Sequence, residues 1–176
     1  MKSFLALIMI GTLSLLLRPS PVVALDPTLD ISQYAHTAWR VSEGFTTGVT
    51  QQIAQTPDGY LWLGTEYGVL RFDGVRTFRW QPPPGQHLPS EDITGLIAGR
   101  DGTLWLGTAK GLASWKNGKL AFYPELDGFD VDALLDDHEG TVWAGGVRWE
   151  NRSTPGKLCA IKSGNTRCYG SGTFRR

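Results

Sequence analysis

The chain has 176 residues with 17 basic and 17 acidic side chains, a net charge of zero, which excludes a dominant electrostatic attraction to nucleic acid or an anionic membrane. Charged residues make up only 19%, too few for a charge-extended disordered chain. The 22 glycines, 10 prolines and 7 tryptophans point instead to short strands joined by tight turns.

In chain order, residues 1–24 read as a signal peptide. Lys2 supplies the positive start, Phe4 to Leu17 is an apolar run, Pro19 and Pro21 end it, and Val22-Val23-Ala24 places small residues at a cleavage site. The run is shorter than the roughly 20 residues needed to span a bilayer. Cleavage after Ala24 leaves 152 residues with two more acids than bases. Residues 25–48 form a lead-in, in which His36-Thr37-Ala38-Trp39-Arg40-Val41 has strand character and reads as an orphan outer strand.

A repeat organises the remainder. Asp58-Gly59-Tyr60-Leu61-Trp62-Leu63-Gly64-Thr65 recurs as Asp101-Gly102-Thr103-Leu104-Trp105-Leu106-Gly107-Thr108. A weaker copy is Glu139-Gly140-Thr141-Val142-Trp143-Ala144-Gly145-Gly146. Spacings of 43 and 38 between the tryptophans match a four-stranded propeller blade of roughly 40–50 residues. The expected fold is all-β: about three four-stranded antiparallel blades of an incomplete β-propeller, at 49–92, 93–130 and 131–176. The third blade carries an insertion at 147–156.

Each blade opens on an apolar strand: Val49 to Gln55, Ile93 to Ala98, Val131 to Leu135. Asp58-Gly59 and Asp101-Gly102 predict type I′ turns with positive φ at both residues. A second hairpin is predicted to turn at Asp73-Gly74, Asn117-Gly118 and Ser163-Gly164. The strand between these hairpins is apolar on both faces, as in a blade packed between two neighbours. Gly64 and Gly107 are expected to let another backbone approach. Trp62, Trp105 and Trp143 share one repeat position and are assigned to packing, with Trp115 aligned to Phe72.

Counting back from a two-residue turn at Ser163-Gly164 sets Cys159 opposite Cys168 in a non-hydrogen-bonded pair, where side chains lie closest. In an exported chain this predicts a structural disulfide.

Chemical motifs are sparse. His36, His87 and His138 are scattered, and no nucleophile elbow, zinc-protease, phosphate-loop or EF-hand pattern occurs. Asp136-Asp137-His138-Glu139 reads as a solvated turn in preference to a cation or acid/base site. Catalytic, cofactor and metal residues are none. Trp149 and Arg148, in the insertion, are the ligand-binding candidates, because Trp149 has no repeat role and could stack on a sugar ring.

The blocks Pro57 to Thr65 and Gly68-Val69-Leu70-Arg71-Phe72-Asp73-Gly74, with their second copies, resemble two-component regulator propeller repeats, well over 36–146 and loosely over 147–170. The resemblance implies the periplasmic ligand-sensing part of a bacterial sensor histidine kinase or diguanylate cyclase. Here the output domain would be lacking, so the chain would be an N-terminal fragment without enzyme activity of its own. The implied partners are a small molecule or oligosaccharide and the missing blades or a second copy of the chain. Contact with a membrane would come only through the full-length sensor. A secreted propeller enzyme of the lyase or glycosidase kind, or a carbohydrate- or protein-binding propeller, are the alternatives. Unpaired outer faces predict that the mature chain alone is oligomeric, aggregated or poorly folded.

Overall fold

The computed structural model describes residues 48–137, 139–148 and 155–170, all within the compact unit Trp39–Arg176. Among the described residues, twelve strands form three antiparallel four-stranded sheets, each a simple meander in which neighbours in sequence are neighbours in space. The first sheet holds β1 (Gln52–Gln55), β2 (Leu61–Thr65), β3 (Gly68–Phe72) and β4 (Thr77–Arg79). The second holds β5 (Ile93–Ala98), β6 (Leu104–Thr108), β7 (Gly111–Lys116) and β8 (Lys119–Phe122). The third holds β9 (Asp130–Asp136), β10 (Thr141–Val147), β11 (Lys157–Lys162) and β12 (Asn165–Tyr169). No helix among the described residues is long and apolar enough to cross a membrane.

The turn before each tryptophan strand differs from the type I′ expectation. Gly59 and Gly102 have positive φ but Asp58 and Asp101 do not. Thr56 donates its N–H to Tyr60 and Gly59 donates to Thr56, with the same pattern at Gly99, Gly102 and Thr103. These are three-residue loops with glycine alone in the left-handed position, and Pro57 suits the first loop because its φ is already fixed. The third copy follows suit: Asp137 N–H bonds Thr141 and Gly140 carries the positive φ.

The outer hairpins divide. Asn117-Gly118 and Ser163-Gly164 both have positive φ, with Lys116 opposite Lys119 and Lys162 opposite Asn165, as a two-residue turn requires. In the first sheet the turn falls one residue later than expected. Asp73 pairs with Arg76 through its N–H, Gly74-Val75 make the bend, and the Asp73 carboxylate accepts the N–H groups of Val75 and Arg76.

Between β2 and β3, the buried Thr65 hydroxyl donates to the Gly68 carbonyl and accepts the Tyr67 N–H. Thr108 does the same with Gly111 and Lys110. The third copy has Gly146 at this position. No hydroxyl is there to close the turn, and β10 runs on to Val147, which pairs with Asp130.

Two apolar cores lie between the sheets. One joins Trp62 and Val69 of the first sheet to Ile93, Leu96, Leu104, Leu106, Ala113 and Leu120 of the second. The other joins Trp105 and Leu112 of the second to Val131, Val142, Ala144, Cys159 and Ile161 of the third. The middle strand β6 therefore buries both faces, which explains its lack of polar alternation. Trp62 packs against Trp115 across the sheets, ring centroids 5.6 Å apart.

Candidate functional site

A cleft with charged and hydroxyl side chains lies between the second and third sheets, at the end where the strand-one-to-two and strand-three-to-four turns meet. It encloses about 420 Å³, bordered by Gly99, Arg100, Asp101, Thr103, Trp105, Ser114, Lys116 and Tyr123 on one side. Asp136, Gly140, Val142, Ile161, Ser163 and Gly164 border the other.

The repeat explains why it opens here. In the first copy Trp62 donates its indole N–H to the Thr56 hydroxyl at 2.9 Å. In the third, Trp143 donates to the Asp137 carboxylate at 3.0 Å. The equivalent residue of the second copy is Gly99. A Cβ built there would sit 2.9 Å from Asp101 Oδ1 and 3.7 Å from Trp105 Nε1, so any side chain would push into the cleft beside the indole. The glycine leaves the edge of Trp105 facing that space, while the ring itself packs against Tyr123 with centroids 5.3 Å apart.

The walls mix donors and acceptors. The Ser114 and Tyr123 hydroxyls are hydrogen-bonded at 2.9 Å. Burial pushes the Tyr123 phenol up from its usual value, and the Ser114 bond partly offsets this. Asp101 pairs with Lys116. Its partial burial would raise the carboxyl, but the Lys116 bond and the Thr103 N–H outweigh this and hold it at about 2. The floor from Val142 and Ile161 is apolar.

Of the polar run Asp136 to Glu139, Asp136 is the last residue of β9. The Asp137 carboxylate accepts the N–H groups of Glu139 and Thr141 as well as the Trp143 indole. Desolvation is the largest single influence and raises it, yet the hydrogen bonds from Thr141, Trp143 and Glu139 together bring it to about 2. His138 lies outside the described residues, and no group of three metal-ligating side chains occurs among those described.

Arg148, one of the two ligand candidates from the insertion, is not among the residues that border the cleft. Trp149 lies outside the described residues. Arg148 sets its guanidinium over the Phe129 ring, 4.6 Å from the centroid, and Lys157 sits over the same ring at 4.4 Å. Cys159 stands opposite Cys168 with Cα atoms 4.0 Å apart, joined as a disulfide. Cys159 is buried in the core that Trp105 also enters. The bond therefore closes the outer hairpin of the third sheet, whose turn residues Ser163 and Gly164 border the cleft. Gly99, Ser114 and Tyr123 were not among the residues expected from sequence. The signal for Gly99 was available as a departure from the repeat.

Residues 44–67 and 87–110 match the family model of the two component regulator propeller. Each segment covers the inner strand, the glycine turn and the tryptophan strand of one sheet. These segments are similar to two-component regulator propeller repeats. Among solved structures, the chain is similar to the extracellular domain of a B. thetaiotaomicron protein described as a one component system, BT4673. That match has 22% identity and a TM-score of 0.55, over 69% of this chain and 17% of that one. It is also similar to the extracellular domain of a B. thetaiotaomicron hybrid two component system, BT3049, with 15% identity and a TM-score of 0.52, over 76% and 26%. An ancestral GH74 enzyme aligns at 15% identity and a TM-score of 0.57, over 77% and 20%. The chain thus spans about a quarter or less of these structures, and the likeness is one of fold. No curated protein matches in sequence.

Proposed function

We propose that the chain is part of an exported, ligand-sensing propeller of a bacterial two-component sensor of the histidine-kinase type, with no catalytic role of its own. We further propose that the cleft between its second and third sheets receives an uncharged saccharide. The observation that carries the sensor reading is the pair of regulator-propeller repeats at 44–67 and 87–110. The extracellular sensor domains among its fold neighbours support it. Export rests on the signal-peptide pattern of residues 1–24.

The saccharide reading rests on the cleft. Cationic and acidic side chains occur there in equal number, with the four hydroxyl side chains of Thr103, Ser114, Tyr123 and Ser163 and an indole edge over an apolar floor. Such a wall offers both donors and acceptors without selecting a net charge, which suits a polyol ring. The volume accommodates one or two sugar units.

The likeness to a GH74 enzyme raises hydrolysis as a second reading. A general acid must keep its proton near neutral pH. Asp101 has the opposite bias, its carboxyl being held at about 2.

Titrating the mature chain with mono-, di- and trisaccharides while following tryptophan fluorescence tests the cleft. At least one sugar should give a saturable change, and Gly99→Thr should weaken its binding by about tenfold or more. Failure of every sugar, or unchanged affinity in Gly99→Thr, counts against it. Export is checked separately: alkaline phosphatase fused behind Arg176 is active only if the chain crosses the inner membrane.

A further inference from the structure

The cleft between the second and third sheets has a counterpart one sheet back. Between the first and second sheets lies an opening of about 400 Å³. Thr56, Asp58 and Trp62 border it from the first sheet, and Arg100, Trp115 and Asn117 from the second. The positions repeat. Thr56, Asp58 and Trp62 stand where Gly99, Asp101 and Trp105 stand in the other cleft, and Trp115 and Asn117 stand where Ile161 and Ser163 do.

The two clefts place their aromatic surface differently. Here Thr56 accepts the Trp62 indole N–H and the Trp62 ring is 2% exposed, so it is closed to a ligand. The floor changes in the opposite sense. Leu61, Leu104 and Val142 pair across their hairpins with Phe72, Trp115 and Ile161. Phe72 is 5% exposed and Ile161 is 3%, whereas Trp115 is only half-buried. Trp115 meets Trp62 at 5.6 Å and Trp80 at 5.9 Å between ring centroids, and Trp62 meets Trp80 at 6.5 Å. The three rings fix one another, which makes Trp115 a rigid platform at the opening. Lys116 pairs with Asp101, so the charges that border this cleft balance, Asp58 against Arg100. A fixed ring among balanced polar groups suits the apolar face of a sugar.

The clefts also share a wall, because Arg100 and Asp101 border both. One strand serves the two: Ser114 and Lys116 of β7 border one cleft, and Trp115 between them borders the other, since successive side chains point to opposite faces. Packed sheets lie about 10 Å apart, a gap that about two linked sugar rings cross.

We infer that the cleft between the first and second sheets is a second saccharide subsite with Trp115 as its stacking platform. One unbranched glycan lies across the turn at 99–102 with sugar units in both clefts. This rests on the saccharide reading of the cleft between the second and third sheets, and it makes the ligand a chain of about four units or more, because the clefts are one sheet spacing apart.

Calorimetric titration of the mature chain with β-1,4-linked glucose, mannose and xylose oligomers of two, four and six units tests this. At least one series should bind about tenfold or more tightly at six units than at two, because the second contact becomes intramolecular. Trp115→Ile, which sets the third sheet's residue at this position, should bring the six-unit affinity down to about that of the dimer and leave the dimer's within about twofold. Asn117→Gly keeps a residue suited to the positive φ of the turn and should reduce the gain with length by about threefold. Gly99→Thr should weaken binding at every length, since it fills the other cleft. Equal affinity at two and six units overturns the inference and leaves the reading of the other cleft standing. A gain with length that survives both Trp115→Ile and Asn117→Gly also overturns it. Absence of binding at every length overturns both.

Discussion

The second and third sheets are built from nearly the same instructions and end in different environments. Trp105 and Trp143 follow the same glycine-terminated turn and precede the same x-Gly step, yet one is buried and the other half-buried. The second sheet has a neighbour on each face, and the third has an open face carrying Leu135 and Leu158. A repeat sequence thus specifies a surface that requires covering, and burial follows only where the next unit is present.

Truncating the two tryptophans sharpens that contrast most. Trp105→Ala removes a side chain from the core shared with Val142 and Ile161 and should cost about 3–5 kcal/mol. Trp143→Ala should cost about 1–2 kcal/mol, because roughly half of that burial is absent. Urea denaturation of both variants checks the ratio. Replacing Cys159 and Cys168 together by alanine should cost about 2 kcal/mol, the magnitude for a short closed loop. The loss should appear as a lower urea midpoint in the third sheet's signals first, because the bond lies there.

Acid should act through Asp101 and Asp137. Both carboxyls lie below their ordinary 3.8, at about 2 in the folded chain. A depressed folded value means that their stabilisation is complete above the unfolded value and fades as pH falls through the folded one. The urea midpoint should therefore fall between about pH 4 and pH 2, and Asp101→Asn with Asp137→Asn should flatten that part of the curve. The smallest effect belongs to Lys116→Met. Its exposed pairing with Asp101 should be worth less than about 1 kcal/mol.

The blade pattern was legible because it is local and repeated. The spacing of Trp62, Trp105 and Trp143, the Asn117-Gly118 bend and the opposition of Cys159 and Cys168 follow from period-two alternation and two-residue turns. The Asp58-Gly59 turn misled because a dipeptide does not reveal whether one residue or two will take positive φ. That depends on which residues pair across the hairpin, here Gln55 with Leu61. Asp73-Gly74 misled by one residue because its carboxylate captures the Val75 and Arg76 N–H groups and shifts the bend. The cleft was readable only as a missing side chain at Gly99, visible once Thr56 and Asp137 are seen capping their tryptophans. The seat of Arg148 on Phe129 joins residues 19 apart through folding, and nothing in the insertion's own sequence announces it.

The most direct measurement is the paired effect of one methyl group at the two equivalent glycines. Gly107→Ala drives a Cβ to within 2.1 Å of a neighbouring sheet's carbonyl, whereas Gly145→Ala meets nothing beyond its own sheet. Urea unfolding of the mature chain should show a loss of about 2–3 kcal/mol for Gly107→Ala and less than about 1 kcal/mol for Gly145→Ala. Equal losses at the two positions would contradict the reading of the third sheet as a blade whose outward face is open.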